Sequence, residues 1–549
     1  MVARIPLIVN PDAAQIQELP AGDTLDVPGV GLTADGTIAA NSAVVLTSAG
    51  KAKAISTVGE TQIAGTVFHT GSSSEAVYTL HDGAWFGDEG VVVAAWQIKS
   101  STSGLNQRLQ IQPGELTNAN QISWGTRVNV DELPIDNVAI VSNGKDIGLL
   151  MYTIGSAVRV RTITIQNDKT IYLGNSVTVQ ANSSEGSICY IGEYLGKSHF
   201  AVAYKQTTGT GNESYIKIIS SNGSNNTTLS SQYKVEGATT NAHSTTHLIP
   251  LTNYDSDGYH KFIVQVGQLN GNVTTHVCTS KGTTLWYIGH GYTPAELGSA
   301  ADPVYLHNDH KNGSTYDPVN KKYIVWHNKG NDQEGILRVY DVDNTGFSET
   351  INFKFATRFV IDGIEHTHNS MYPTVEVTDK GQISLTFNGG SGSNVGLRLV
   401  GSYNHERTNL IWGAYIPNIG SVPVWSNENT RYAQQVKADD GKIINLWQNG
   451  ETDSFNVSGK SCVIQTATTT LTADNFLGFS SAAYSNNDAA RIKVSGNTVS
   501  GSFTIGKKYY IRDNGVISTD AVEIGRSFNI PAGKAISTTT LLIRQLFLW

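Results

Sequence analysis

Six of the fourteen histidines fall into three pairs: His243 with His247, His307 with His310, and His366 with His368. A neutral imidazole can hydrogen-bond a sugar or ligate a divalent metal, and Asp309, Asp362 and Glu365 stand near two of the pairs. The second histidine of each pair precedes a turn, beginning at Asp255, Asp317 or Thr378, by 7 to 10 residues. The pairs therefore occupy equivalent positions in successive repeats, on the approach to a first strand. If first strands line a central channel, the six histidines sit at its mouth and are the candidate binding residues. The competing reading is a loop histidine inherited by three related repeats, which needs no ligand. Spacing alone does not establish convergence, so no metal and no cofactor is assigned.

Other chemistry is sparse. Asp341-x-Asp343-x-Thr345-Gly346 matches the start of a calcium loop, but Asn352 stands where a bidentate Glu is required, so it reads as a turn. Cys189, Cys278 and Cys462 are odd in number and widely separated, which argues against a disulfide framework. No Ser-His-Asp spacing, phosphate loop or reactive-cysteine context is visible. A propeller glycosidase needs paired carboxylates, and its usual Ser-x-Asp-x-Gly-x-Thr-Trp box is missing; TNYDSDGYHKF from Thr252 lies in the wrong hairpin. Arg108, Arg161, Arg338 and Arg398 recur in third strands, where ion pairs between repeats or solvent contacts are expected. No catalytic residue is assigned, and the chain is expected not to be an enzyme.

The elements that must position these residues announce themselves by a repeat. A short apolar strand ending in a large side chain recurs at Trp96, Tyr152, Tyr204, Val266, Trp326, Phe387 and Trp447, at intervals of 56, 52, 62, 60, 61 and 60 residues. Before each comes a turn: GDEG, NGKDIG, YLGK, DSDG, DPVNKK, TDKG and ADDG. Asp and Asn bond their own backbone and Gly permits positive φ, as a tight hairpin demands. After each come strands with period-two alternation, such as AVRVRTITI from Ala157. Four antiparallel strands in each of seven units is the arithmetic of a β-propeller. The fold expected is all-β: a seven-bladed β-propeller over 75–473, flanked by two small β modules at 1–74 and 474–549. The large repeated side chains are expected to pack between blades rather than to form a sugar-stacking platform.

Composition agrees. Charged residues are only 15 % of the chain, with 55 Gly and 23 Tyr, a mixture suited to strands and tight turns. The net charge of −8, without a basic run, gives no footprint for nucleic acid. The N-terminal stretch lacks the apolar core of a signal peptide, and nowhere do about 18 apolar residues run together, so no membrane insertion is expected.

The two flanks resemble each other. SAVVLTSAGKAKAI followed by IAGTVFHT parallels GKKYYIRDNGVIST followed by IPAGKAISTTTLLIR. The opening PLIVNPDAAQIQELPAGDTLDV resembles the start of tail-fibre and structural proteins of phages that infect cyanobacteria. The closing NFLGFSSAAYSNNDAARIKVSGNTVSG, with the two motifs after it, is similar to a module repeated in such virion proteins. The resemblance covers about the first 30 and last 80 residues. It implies a virion protein of the phage tail, made in the host cytoplasm and anchored by an end module. Other virion proteins and further copies of itself are the partners expected of the end modules, and a host surface glycan is the ligand expected at the histidine-bearing channel mouth.

The leading expectation is thus a non-enzymatic tail fibre or receptor-binding protein. The alternatives are a scaffold or decoration protein of tail, neck or capsid, and a polysaccharide-degrading propeller enzyme. The apolar terminus LLIRQLFLW is expected to be buried.

Overall fold

A computed structural model describes residues 7–10, 15–18, 29–58, 61–72, 74–101, 108–131, 136–208, 211–223, 226–235, 246–251, 258–267, 273–289, 304–305 and 313–329. It further describes 334–343, 350–358, 360–361, 364–365, 370–378, 381–389, 396–403, 410–413, 418–419, 422–426, 430–439, 441–449, 457–465, 468–471, 475–512, 515–519 and 530–543. The fold is all-β, and the described residues contain no helix, hence none long and apolar enough to cross a membrane. The chain divides into two compact units, one of 60–467 with 524–527, the other of 1–59, 468–523 and 528–549.

In the larger unit, antiparallel sheets follow one another along the chain. The first begins with Glu75–Phe86, Val91–Ser100 and Leu109–Leu116, the second with Asp136–Ser142, Ile147–Ile154 and Ala157–Ile165. The third begins with Ser183–Tyr194 and Lys197–Thr208, the fourth with Thr246–Leu251 and His260–Gly267. The fifth contains Ser314–Asp317 and Lys322–Lys329, the sixth Ser370–Val377 and Ile383–Gly389, the seventh Thr430–Lys437 and Lys442–Asn449. The first-named strand of each sheet adjoins that of the next, and Thr430–Lys437 adjoins Glu75–Phe86.

The apolar runs of the second strands follow from this stacking. Along Val91–Ser100, alternate residues face opposite neighbours. Val91, Val93 and Ala95 pack with Ile140, Leu150 and Tyr152 of the second sheet, while Val92, Ala94 and Trp96 pack with Val436, Ile444 and Leu446 of the seventh. A strand covered on both faces must be apolar at every position, and each large aliphatic side chain so buried contributes about 1.5–3 kcal/mol. Trp96, Tyr152 and Tyr204 are fully buried and Trp447 nearly so, as expected of packing residues. The side chains of Trp326 and Phe387 lie outside the described ones.

The turns also follow their composition. Gly90, Gly144, Gly196, Gly258, Gly381 and Gly441 have φ between 63° and 79°. In DPVNKK, which lacks glycine, Lys321 takes the left-handed conformation at φ 54°. There Asp317 accepts the N–H groups of Val319 (2.9 Å) and Asn320 (3.1 Å) and the side-chain amide of Asn320 (2.7 Å).

The division of the chain differs from the boundaries 1–74 and 474–549. Thr61–His69 belongs to the larger unit, where it pairs with Ser458–Gln465 as the fourth strand of the seventh sheet. The two flanks instead build one smaller unit from two five-stranded sheets of the same design. In one, the strand order is Val30–Thr33, Ala489–Lys493, Phe476–Ser480, Ala43–Leu46, Ala52–Ala54. In the other it is Thr498–Ser500, Thr540–Ile543, Ile530–Ala535, Lys508–Ile511, Ile517–Ser518. Even the irregularity repeats: the pairings Val44↔Gly478 and Val45↔Phe476 match Tyr509↔Gly533 and Tyr510↔Pro531. The counterpart of IPAGKA is therefore FLGFS at 476–480, not IAGTVF. Leu541 and Ile543 are buried, as expected of the apolar terminus, whose residues 544–549 lie outside the described ones.

Candidate functional site

The last residues of the inner strands line a cavity of about 500 Å³ in the larger unit. Polar side chains stitch these strands together at intervals near the repeat length. Asp82, at a bulge in Glu75–Phe86, accepts the Gly83 N–H (2.8 Å) and, across to the second sheet, the Ile140 N–H (2.9 Å). The Ser187 hydroxyl accepts the Leu248 N–H of the fourth sheet (3.1 Å). Gln435 of the seventh sheet donates to the Thr374 carbonyl of the sixth (2.7 Å) and accepts from Ser384 (2.6 Å). Buried polar groups so paired fix the register of neighbouring sheets.

Among the described residues, three carboxylates line the cavity, Asp82, Glu376 and Asp439. Asp82 is spent on backbone donors. Asp439 is exposed and accepts from the indole N–H of Trp85 at 3.1 Å. Glu376, half-buried at the end of Ser370–Val377, is different. Enclosure by protein raises its carboxyl above the usual 4.5, opposed in lesser degree by the Lys437 ammonium, the Val377 N–H and the Thr315 hydroxyl. Asp317, beneath the adjoining turn, is likewise raised by burial, with its bonds to Asn320 and Val319 and the Lys437 charge pulling the other way. Lys437 thus lies near two carboxyls that burial holds toward their neutral form, and it lines the cavity together with Trp85 and Tyr190. A neutral carboxyl in a cavity can donate a proton, and an ionised one nearby can activate water or hold a developing cation.

Of the six histidines, His247 alone is among the described residues; it is buried in Thr246–Leu251, paired with Gln265. His243, His307, His310, His366 and His368 lie outside them, as do Asp309 and Asp362. At the opposite end of the inner strands from the cavity, the Arg127 guanidinium donates to Glu75 (2.8 Å) and lies 3.2 Å from His69 Nδ1. Burial and the Arg127 charge lower the His69 pKa. Among the described residues no three His, Cys, Asp or Glu side chains gather as a metal site. Asp341 is taken by Lys322 and Lys354, and all three cysteines are buried thiols outside any disulfide. Among the described residues Arg161 has no ion-pair partner; it donates to the carbonyls of Gly174 (2.7 Å) and Val130 (2.6 Å), tying the second sheet to the first.

Neither a protein-family model nor a curated protein sequence matches the chain. Among solved structures, it is similar to an α-L-arabinofuranosidase of Fusarium graminearum, with 9 % identity over 74 % of this chain and 98 % of that one, and a TM-score of 0.37. An α-L-arabinanase of Penicillium chrysogenum shows 11 % identity over 67 % and 99 %, with a TM-score of 0.36. A sialidase of Trypanosoma rangeli shows 12 % identity over 74 % and 59 %, with a TM-score of 0.35. These comparisons correct two expectations. The chain was expected to be a tail fibre or receptor-binding virion protein and not an enzyme, whereas these structures are glycoside hydrolases and none carries a phage name.

Proposed function

We propose that the seven sheets of 60–467 are the blades of a β-propeller that hydrolyses a polysaccharide in its central cavity. The observation that carries this reading is Glu376, a carboxyl raised by burial at the wall of a cavity where inner strands converge. In this reading Glu376 protonates the leaving glycosidic oxygen, and Asp439 acts from the same cavity as the second carboxylate of the pair. Trp85 and Tyr190 offer apolar faces to the sugar, and Lys437 hydrogen-bonds its hydroxyls.

Residence on a phage virion, with virion proteins as partners, is proposed on the resemblance of the two ends alone. The attachment element is then the single unit that those ends build together. Immunogold labelling of intact particles tests that placement.

The catalytic reading is tested by release of reducing ends from a panel of bacterial envelope polysaccharides. Wild type is expected to release them, and Glu376→Gln to lower kcat by about a hundredfold or more while remaining folded. No release from any polysaccharide, or unchanged kcat in Glu376→Gln, overturns the reading.

A further inference from the structure

A second concavity, of about 660 Å³, lies where the third and fourth sheets meet at their turn ends. It uses none of the residues assigned to catalysis. Its floor is aromatic. Within Thr284–Ile288, Leu285 is buried in the core between the two sheets, and Trp286, the extra residue of a bulge between the pairings Ser280↔Leu285 and Thr279↔Tyr287, stands 60 % exposed. Tyr259 stands edge-on to it, with ring centroids 5.9 Å apart and planes at 81°. The Lys281 ammonium lies 4.7 Å from the centroid of Tyr259 and 5.8 Å from that of Tyr194 on the third sheet. Below, the Nδ1 of His199 bonds the Lys197 carbonyl at 3.0 Å.

An exposed indole with two tyrosines, in a groove otherwise lined by lysine, serine, threonine and histidine together with Leu195 and Gly282, offers an apolar face with polar donors at its rim. That pairing suits a ligand with one apolar CH face and many hydroxyls. The charge narrows the class. Among the described residues, Lys197 and Lys281 line the groove and no Asp or Glu does, although the chain carries a net charge of −8. Burial and the facing His260 lower the His199 pKa to about 4, so at neutral pH the positive charge rests on the two lysines.

We propose that this groove binds an acidic saccharide chain, a sugar's CH face on Trp286 and a uronate carboxylate at Lys281. The site would retain polymer without cleaving it. It stands independently of the reading of Glu376.

Affinity electrophoresis of the full chain tests this, with polygalacturonate as probe and dextran as neutral control. Polygalacturonate is expected to retard the wild type at least tenfold more strongly than dextran. Trp286→Ala is expected to weaken that retardation at least tenfold and Trp286→Tyr to restore much of it. Lys281→Met is expected to abolish the preference for the acidic polymer. Trp286 is exposed, so its truncation should leave the melting temperature nearly unchanged. Glu376→Gln is expected to bind as wild type does, which separates failure at this groove from failure at the cavity. No retardation by polygalacturonate overturns the proposal, as does undiminished retardation of Trp286→Ala or an unchanged preference in Lys281→Met. Retention of Trp286-dependent binding by a protein partner, with no polysaccharide bound, overturns it as well.

Discussion

The hydroxyls of Thr66 and Ser461 lie 3.1 Å apart, although 395 residues separate them in the chain. Ser461 also donates to the Thr66 carbonyl (3.1 Å), and the Trp124 indole of the first sheet reaches both hydroxyls (3.2 and 3.3 Å). This is the seam at which the first strand of the larger unit completes the last sheet. No covalent bond closes it, so its strength rests on backbone pairing and on how closely Phe68 packs beneath.

The seam allows no side chain at Gly459. A Cβ there would lie 2.0 Å from Phe68 Cε2, and Phe68 is held between Trp96 and Trp124 at centroid distances of 5.0 and 5.2 Å. Gly459→Ala is expected to destabilise the larger unit by about 1–3 kcal/mol, with Gly459→Val worse. Differential scanning calorimetry of the full chain reads this as a lowered transition. An unshifted transition would show that the strand at Thr61–His69 adapts freely.

The smaller unit has its own pair of obligatory glycines. A Cβ at Gly478 would lie 2.1 Å from the Lys493 carbonyl oxygen, and one at Gly533 2.1 Å from that of Leu542. These obstacles are backbone atoms of the neighbouring strand, so neither can swing aside. Gly478→Ala and Gly533→Ala are each expected to cost about 2 kcal/mol or more, by similar amounts. Urea titration monitored by Tyr509 and Tyr510 fluorescence, in a chain with other reporters silenced, checks this. A large effect at one site only would contradict the equivalence of the two sheets.

Glu376 should leave its mark on stability against pH. Its folded-state pKa is raised above 4.5, so the folded protein holds the proton more tightly than the unfolded chain. The associated stability is fully present below 4.5 and is lost as pH rises through the folded value. Glu376→Gln removes that loss. The melting temperature of the variant is therefore expected to match wild type at low pH and to exceed it increasingly as the wild-type carboxyl ionises. If Glu376 is also the proton donor, the alkaline limb of hydrolysis falls over the same interval. A variant less stable than wild type at neutral pH would reverse the sign assigned here.

Much of this architecture was legible in the chain because its signals are local. Second strands such as Val91–Ser100 carry apolar runs because both faces are covered, and most of the turns carry glycine where positive φ is needed. DPVNKK was still readable as a turn because Asp317 replaces the missing glycine's role by bonding the loop backbone, leaving Lys321 to bear the left-handed conformation. The seam was not legible. Thr61–His69 resembles a flank motif in sequence, and nothing local reports that its partner is Ser458–Gln465. Glu376 was hidden for a related reason: it is a lone carboxylate in the apolar run PTVEV, and only the convergence of distant strands gives it an environment. Trp286 was hidden because TTLWYI does not reveal the bulge that leaves Trp286 outside the ladder, nor which of Leu285 and Trp286 faces out.

The two copies in the smaller unit differ in one respect: the second is continuous, while the first is interrupted between Ala52–Ala54 and Phe476–Ser480. At the interruption, Thr57–Val58 pairs with Thr468–Thr469, so departure and return lie one ladder spacing apart, about 5 Å. The smaller unit is a host, and the four hundred residues between are a guest cassette. Because the host's register is set on either side of that doorway, the guest could be exchanged for another without any host strand being re-paired.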